Sequence, residues 1–170
     1  EKLMWVNAQH LRQKSAEELL PLLKPFIAKD WETAGLVGDA DRLLSEIDAI
    51  ILELIPLFQP RVSNLVEMAQ QMRSLLVPAA HVVYDPKAVE KALTDEGKTH
   101  ATGMRSALEA LYAADGNPAP EALHECLQNY VNDNGLKFKQ VGPPVRVALY
   151  GAQGGPDLQA IMHVLGKDEV

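Results

Sequence analysis

Apolar residues recur at helical spacing along most of this chain, and this periodicity limits the possible fold more than any other feature. The longest run has aliphatic residues at positions 43, 44, 47, 50, 51, 54 and 55, and we expect Pro56 to end it. Ser15 and Glu18 form a capping-box pattern just before another apolar run. Only the stretch Val145–Leu149 could form a strand, and a single strand would have no partner. The sequence therefore predicts an all-α fold.

Prolines, glycines and capping residues divide the rest of the chain into further helices. The predicted segments are Leu3–Leu11, a helix that starts at Pro60, Asp85–Leu93, His100–Ala114 after a break at Gly97, Pro118 to near Gly135, and Pro156–Gly166. We expect the helices to form two lobes, residues 1–76 and 77–170, joined near residues 77–84.

Composition and charge restrict the class of protein. With 170 residues, 47% of them hydrophobic, the chain is long enough to bury a core. No apolar run reaches about 18 residues, so we expect no membrane partner. The single cysteine, Cys126, excludes a disulfide framework and fits a reducing, cytoplasmic compartment. The chain opens at Glu1 without a methionine, and we expect it to be a piece of a longer protein.

The segment Gly135–Pro156 departs from the acidic character of the chain. The net charge of −7 argues against indiscriminate binding to DNA or RNA, yet this segment carries Lys137, Lys139 and Arg146 and no carboxylate. It predicts a cationic loop that leads into a proline-started helix, with backbone N–H groups exposed at the helix start. Such a loop could hold phosphates or polar base edges, and Lys137 and Lys139 are the candidate phosphate contacts.

Two arginines are candidates for a more specific contact. Arg61 follows Pro60 at a predicted helix start, so it is either a solvated residue or one that projects toward an anion or a guanine- or cytosine-type edge. Arg146 lies between Val145 and Val147, and alternation would place its side chain opposite these apolar neighbours. For each arginine, the residues alone leave the solvated and the binding interpretation open.

No constellation in the sequence supports catalysis or metal binding. The five histidines lack the HxxxH and HExxH spacings of zinc sites. The turn Gly151–Gly155 lacks the lysine of a phosphate-binding loop and a clear strand before it. We therefore expect no catalytic residue, metal or cofactor within this chain.

Three stretches of the chain resemble one family. The opening KLMWVNAQHLR is similar to a KL-x-W-x-N-x-x-Y-I segment, and QPRVSNLVEMAQQMRSLL resembles a helix with an Arg-x-x-x-Leu start. The terminal stretch GLKFKQVGPPVRVALYGAQGGPDLQAIMHVLGKDEV is similar to PLR-x-ALTG followed by P-x-L and LGKE. These motifs resemble those of the C-terminal, anticodon-binding region of bacterial-type glutamyl-tRNA synthetases, which are class I aminoacyl-tRNA synthetases. Two residues depart from the family pattern. Gln128 stands where some relatives carry a basic residue, and Tyr150 stands where threonine is usual.

The resemblance implies a two-lobed α-helical cage that clasps the anticodon loop of tRNA(Glu). It implies that Arg61 reads the third anticodon base, as in synthetases that separate glutamate from glutamine tRNAs. The residues implied to line the pocket for the other anticodon bases are Arg146, Gly155, Pro156, Leu158 and Gln159.

The resemblance also implies what the longer protein contains. An N-terminal catalytic domain of the same polypeptide would carry HIGH and KMSKS-like signatures, neither of which occurs in this chain. That domain would use ATP and Mg²⁺ to activate glutamate and charge tRNA, and the enzyme is expected to be a monomer. This chain alone is expected to recognise tRNA and not to catalyse.

Two other functions fit the same residues. The anticodon domain of class I lysyl-tRNA synthetases is also α-helical, although the PVRVALYG stretch favours the glutamyl family. Alternatively, the chain could be a helical protein–protein module whose basic loop binds an acidic partner. RNA binding by such a module would fall with salt and would be indifferent to base identity. The hypothesis of a self-contained enzyme has the least support, because the sequence contains no catalytic constellation.

Overall fold

The chain forms two compact helical units, Glu1–His81 and Val82–Val170. The computed structural model describes residues 2–35 and 47–167, and this part of the chain contains helices and no β-strand. The predicted all-α fold is therefore confirmed. The division between the units falls after residue 81, and the assignment of residues 1–76 and 77–170 to two anticodon-binding lobes stays a prediction. Positions 43 and 44 of the longest predicted apolar run lie outside the described residues.

The first unit is built from helices that pack around a buried aliphatic core. Its described elements are α1 (Lys2–Gln13), α2 (Ala16–Thr33), α3 (Asp48–Phe58), α4 (Leu65–Leu76) and the 3₁₀ turns Gln59–Arg61 and Ala79–His81. Helix α2 packs against both α3 and α4. The packed faces contribute fully buried side chains that include Leu23, Ile27, Ile51, Phe58 and Met72.

The second unit has its own core. Its described helices are α5 (Pro86–Ala92), α6 (Asp95–Ala114), α7 (Pro120–Asp133), α8 (Phe138–Tyr150) and α9 (Leu158–Leu165). Side chains from α6, α7, α8 and α9 meet in one cluster that includes Met104, Leu108, Leu127, Val141 and Met162. Tyr112 joins this cluster and donates its hydroxyl hydrogen to the carbonyl oxygen of Met162 over 2.8 Å. Burial raises the pKa of Tyr112 to about 12, so the donor stays protonated.

Two helix starts follow the predicted caps. The Ser15 hydroxyl accepts from the backbone N–H of Glu18, and the Glu18 carboxylate accepts from the backbone N–H of Ser15 at 2.8 Å. The Asp85 carboxylate accepts from the backbone N–H of Lys87 at the start of α5. Both predicted starts are confirmed, because a cap acts within one turn of the helix that it begins.

Two proline-based predictions in the first unit are wrong. Pro56 was expected to end a helix, but α3 continues to Phe58. Proline removes one helical hydrogen bond, and the burial of Ile55 and Phe58 offsets that loss. Pro60 was expected to start a helix, but it lies in a 3₁₀ turn and α4 begins only at Leu65. The start of α4 is set by the Asn64 side chain, which accepts from the backbone N–H three residues later.

In the second unit, the predicted break at Gly97 is also wrong. Helix α6 begins at Asp95, and the Thr94 hydroxyl accepts from the backbone N–H of Gly97. A β-carbon on Gly97 would lie 2.0 Å from the carbonyl oxygen of Ala92. The glycine therefore permits close packing of α6 against the end of α5 instead of breaking the helix.

Residues 145–149, the one stretch whose sequence could have formed a strand, lie within α8, in agreement with the predicted all-α fold. The apolar residues of this stretch pack in the core at helical spacing, with Val141 and Val145 one turn apart. The last helix begins at Leu158, two residues after the predicted start at Pro156. Across residues 2–35 and 47–167, no helix combines the length and the apolar character needed to cross a bilayer.

Candidate nucleic-acid interface

The predicted cationic loop at residues 135–156 is mostly helix. Lys137 caps α8, where its backbone N–H donates to the side-chain oxygen of Gln140 over 2.9 Å. The helix ends at Gly151, which has a φ of 78° and donates its N–H to the carbonyl oxygen of Val147. A β-carbon at position 151 would lie 2.7 Å from the carbonyl oxygen of Val83, so both the conformation and the space require glycine. Only residues 151–157 remain as a turn before α9.

A cleft of about 490 Å³ opens between α8, the turn that follows it, the end of α5 and the start of α6. We call it the cationic cleft. Its polar and charged lining residues include Lys91, Glu96, Lys139, Gln140, Arg146 and Gln153. These residues come from three separate segments of the sequence, 91–97, 138–146 and the turn at Gln153, and they face one space.

The electrostatic balance of the cationic cleft is positive. Lys91, Lys139 and Arg146 line it, and Glu96 is the one carboxylate among its lining residues. The Glu96 carboxylate accepts from the side-chain amide of Gln140 at 3.2 Å and lies 3.4 Å from a ring nitrogen of His100. Because three cations face a single carboxylate, the field inside the cleft is positive. This favours an anionic ligand in a chain whose net charge is −7.

Arg146 is fixed at the wall of the cationic cleft. Its Nη1 donates to the carbonyl oxygen of Pro156 over 2.5 Å, which joins α8 to the turn before α9. The strand-like alternation predicted for Arg146 is wrong because the residue is helical. Val145 and Val147 are nevertheless buried, while Arg146 is half-buried. The rigid guanidinium plane is therefore pre-positioned for a polar ligand.

Two adjacent prolines alter the backbone hydrogen bonding of the helix that forms one wall of the cationic cleft. Pro143 and Pro144 lie inside α8 and have no N–H group. The carbonyl oxygens of Lys139 and Gln140 therefore lack the N–H donor that a helix normally supplies four residues later. Phe138, which is 43% exposed, lines the same cleft. Donors, acceptors and an aromatic surface are the groups that bind unstacked RNA bases.

The cationic cleft brings together some of the predicted site residues. Arg146, Lys139 and Leu158 all line it. Leu158 is only 2% exposed and belongs to the core cluster, so it forms a wall more than a contact surface. Pro156 is buried and joins the cleft through its carbonyl bond to Arg146.

Other predicted residues lie outside the lining of the cleft. Gly155 has a φ of 129°, and a β-carbon there would lie 3.0 Å from the ring of Tyr150, which is buried. Gln159 is half-buried in the first turn of α9. Lys137 is exposed at the cap of α8. Of the two lysines expected to contact phosphates, Lys139 lines the cleft and Lys137 does not.

Arg61 belongs to the other unit. It is exposed in the 3₁₀ turn Gln59–Arg61, and not at the helix start predicted for it. The Gln59 side-chain amide donates to the carbonyl oxygens of Leu11 at 2.5 Å and Lys14 at 2.9 Å. Arg12 donates to the carbonyl oxygen of Pro60 over 3.2 Å. These bonds hold the turn against the end of α1 and set the position of the Arg61 backbone.

Sequence reasoning missed several residues of the cationic cleft. Lys91 and Glu96 are far from the cationic segment in sequence, and no local pattern indicates that they face it. Phe138 could have been identified as a candidate contact residue from the sequence, because it is an aromatic residue between two lysines. Within the described residues, no group of three or more His, Cys, Asp or Glu side chains is arranged to hold a metal ion.

Comparison with known proteins identifies the family. A family model described as "Anticodon binding domain" matches residues 12–170. The chain is 49% identical over 170 residues to the glutamate–tRNA ligase of Nitratidesulfovibrio vulgaris Hildenborough, covering 100% of this chain and 33% of that protein. It is 45% identical over 169 residues to the glutamate–tRNA ligase of Oleidesulfovibrio alaskensis, covering 99% of this chain and 33% of the relative. The chain thus spans about a third of the length of the curated relatives it matches.

A solved structure gives the same result. The crystal structure of a glutamate–tRNA ligase from Elizabethkingia meningosepticum, in complex with its amino acid, superposes with a TM-score of 0.71 at 26% identity. The match covers 98% of this chain and 29% of that one. The chain therefore belongs to the anticodon binding domain family, and its predicted resemblance to the glutamyl-tRNA synthetase form of that family is confirmed.

Proposed function

We propose that this chain recognises the anticodon loop of tRNA(Glu), as the tRNA-binding part of a glutamate–tRNA ligase. The observation that carries the proposal is the cationic cleft, in which Arg146 is held by the carbonyl oxygen of Pro156. Bases of an anticodon loop are unstacked and accessible, and proteins bind such bases with arginine planes, backbone groups and aromatic rings. A chain with a net charge of −7 would bind RNA through such a local site and not through its overall charge.

The longer protein would carry out the chemistry. We propose that a catalytic domain of the same polypeptide activates glutamate with ATP and Mg²⁺ and charges the tRNA, acting as a cytoplasmic monomer. Binding energy gained at the anticodon could then be expressed in the chemical step at the remote acceptor end. The isolated chain is expected to bind tRNA without charging it.

Replacing Arg61 with alanine should reduce base discrimination. Arg61→Ala is expected to weaken the preference for the cognate third anticodon base by roughly 1–3 kcal/mol, the scale of one bidentate arginine–base contact. Fluorescence anisotropy with a glutamate-tRNA anticodon stem-loop, and with one altered only at the third base, measures this preference. An equal loss of affinity for both stem-loops would show that Arg61 does not read that base.

The control for Arg61 must leave the neighbouring backbone intact. Glu67 is unsuitable, because its carboxylate accepts from the backbone N–H of Ser63 at 2.8 Å and supports the segment next to Arg61. Arg105 offers a matched change on the exposed face of α6, where it pairs with Glu109 at 2.8 Å. Arg105→Ala should leave both affinities unchanged within about twofold, or roughly 0.4 kcal/mol.

Arg146 should contribute to affinity through its geometry as well as its charge. Arg146→Ala is expected to weaken binding of the cognate stem-loop about 10-fold, which is 1.4 kcal/mol. Arg146→Lys should recover only part of that loss, because lysine keeps the charge but not the planar fork that bonds to Pro156. Anisotropy titrations of both variants at one salt concentration test this. Full recovery by lysine would mean that only the charge matters.

The same titrations separate tRNA recognition from the role of a protein–protein module. Electrostatic attraction alone would produce an affinity that falls steeply with salt and does not depend on the anticodon sequence. Anticodon reading predicts that a preference for the cognate loop persists at every salt concentration at which binding is measurable.

A further inference from the structure

The first unit contains a second concave surface, which we call the α1–α4 groove. It lies between α1, α2 and the start of α4 and has a volume of about 310 Å³. Its lining residues are Asn7, Leu11, Phe26, Asn64, Leu65 and Val66. The groove is thus apolar at its centre and has two amide side chains in its lining.

An aromatic ring is accessible in this groove. Phe26 is 37% exposed although it belongs to α2, whose opposite face is buried in the core. Val66 is also exposed, at 48%. Apolar side chains that stay in contact with water contribute no free energy of burial to the fold. This surface is therefore suited to a flat apolar partner that covers Phe26 and Val66.

The Asn64 amide presents a defined polarity. Its Oδ1 accepts from the backbone N–H of Glu67 over 2.8 Å, so the Nδ2 group is the half of the amide that can donate. A ligand next to Asn64 should therefore offer an acceptor, such as a ring nitrogen or a carbonyl oxygen of a base. Asn7 lies one helical turn before Leu11 and contributes a second amide to the lining.

The segments that form two walls of the groove are cationic. Residues 2–16 and 59–66 contain Lys2, Arg12, Lys14 and Arg61 and no carboxylate, in a chain whose net charge is −7. Glu17, Glu18 and Glu67 border these segments; Glu18 lies 3.8 Å from Lys14, and the Glu67 carboxylate accepts from the backbone N–H of Ser63. With four Lys or Arg against three Glu, residues 2–18 and 59–67 carry a net charge of +1. This local excess of positive charge favours a polyanion such as RNA over an acidic surface.

Arg61 lies in the second of these segments, in the turn just before α4. Gln59 is bonded to the Leu11 carbonyl oxygen on one wall, and Asn64 belongs to the other. Arg61 and Asn64 are three positions apart in the sequence, so their Cα atoms lie within about 11 Å of each other. A base seated in the groove would thus be near the arginine expected to read the third anticodon position.

We infer that the α1–α4 groove binds one unstacked nucleobase of the anticodon loop, with Phe26 as the stacking surface and Asn64 as a donor to the base edge. This inference rests on the proposed function and extends it to a second binding surface. A single base stacks on an aromatic ring without needing sequence-specific contacts elsewhere. Specificity then comes from the acceptors on the edge of the base that face Asn64 and Arg61.

The test combines changes in the groove with removal of single bases. Phe26→Leu keeps an apolar side chain but not the ring, and Phe26→Tyr keeps both. The full 170-residue chain and these variants are titrated by anisotropy with the glutamate-tRNA anticodon stem-loop, and with three stem-loops that each carry an abasic residue at one anticodon position. Phe26→Leu should weaken binding of the intact loop about 10-fold, and Phe26→Tyr should bind within about twofold of wild type.

The double-mutant comparison identifies the base. At one anticodon position, the losses of binding free energy caused by the abasic residue and by Phe26→Leu should not add, because each change removes the same stacking contact. At the other two positions the losses should add. Additive losses at all three positions, or an unchanged affinity of Phe26→Leu, would overturn the assignment of the groove. If the wild-type chain binds none of the stem-loops, the proposed function itself fails, and the inference fails with it.

Folding of the Phe26 variants can be checked in the same samples. Both tryptophans of the chain, Trp5 and Trp31, lie in the first unit, and Trp31 is buried in α2. Phe26→Leu and Phe26→Tyr should give the same tryptophan emission maximum. If they do, a difference in affinity between these variants reflects the aromatic ring and not the fold.

Discussion

Asp30→Ala is expected to lower the free energy of unfolding of the first unit by about 3 kcal/mol, the lower end of the range for breaking a buried ion pair. Asp30 lies in α2 and is 9% exposed. Its carboxylate accepts from Arg73 Nε at 2.6 Å and from Arg73 Nη2, so the guanidinium of α4 binds both carboxylate oxygens. The contact joins α2 to α4, the helices that contribute Phe26 and Leu65 to the α1–α4 groove.

The cost comes mainly from the group left behind. An arginine stays protonated in proteins with or without a partner, and the hydrogen bond that Arg73 donates to Asp30 raises its pKa further. Without Asp30, a partly buried cation would lose both of its carboxylate hydrogen bonds. Asp30→Asn should cost less, because the amide oxygen can still accept one bond.

Urea unfolding followed by tryptophan fluorescence measures this change, since both tryptophans lie in the first unit. Lys14→Ala is the matched control, because it removes the cation of an exposed i,i+4 pair with Glu18 in the same unit. That change should cost no more than about 0.5 kcal/mol. A loss at Asp30 as small as the loss at Lys14 would show that the pair between α2 and α4 contributes no more than a surface contact.

Gly97→Ala is expected to destabilise the second unit by about 3 kcal/mol, at the upper end of the overpacking range. In an exposed helix the same change would stabilise by about 1 kcal/mol, because glycine loses more backbone entropy than alanine. Here the new methyl group would lie 2.0 Å from the carbonyl oxygen of Ala92, and backbone cannot rotate away as a side chain can. The steric clash should therefore make Gly97→Ala destabilising, although helix propensity alone would make it stabilising.

Gly103 offers a matched control within the same helix. A β-carbon there would meet the hydroxyl oxygen of Tyr130 at 2.1 Å, which is the far end of a side chain that can move. Gly103→Ala should change stability by less than about 1 kcal/mol, since relief of the contact and the gain in helix propensity partly cancel. Thermal unfolding followed by circular dichroism compares the two variants. Equal stability of Gly97→Ala and wild type would mean that α5 and α6 can separate at no cost.

The Gly97 change should also affect RNA binding. Gly97 and Ala92 both line the cationic cleft, so moving α5 away from α6 would displace Lys91 from Arg146. We expect Gly97→Ala to weaken stem-loop binding at temperatures where the second unit is still folded. Gly103→Ala, whose position does not line the cleft, should not.

The helices that follow local rules could be predicted from the sequence. The capping box at Ser15, the cap at Asp85 and the helix stop near Gly135 all appear where the residues indicate them. Each depends on contacts within a turn or two of the same segment, so its physical cause is contained in a few adjacent residues. The same is true of the terminal motif that identified the family.

The prolines and glycines that were misread depend on tertiary contacts. Pro56 stays helical because its neighbours Ile55 and Phe58 are buried in a core built from several helices. Pro143 and Pro144 likewise lie inside α8, where the favourable burial of Val141 and Val147 outweighs the lost hydrogen bonds. Local propensity is worth about 1–3 kcal/mol at such residues, and packing can exceed it.

The family and the helical class could be read directly from the order of residues, because they rest on motifs and periodicity. The shape of the cationic cleft could not, since it requires Lys91 and Glu96 to meet α8 across a long stretch of chain. Nor could the α1–α4 groove, which combines Asn7 of α1, Phe26 of α2 and the α4 cap residue Asn64. Contacts between distant segments arise from the packing of whole helices, and no short pattern of residues specifies that packing.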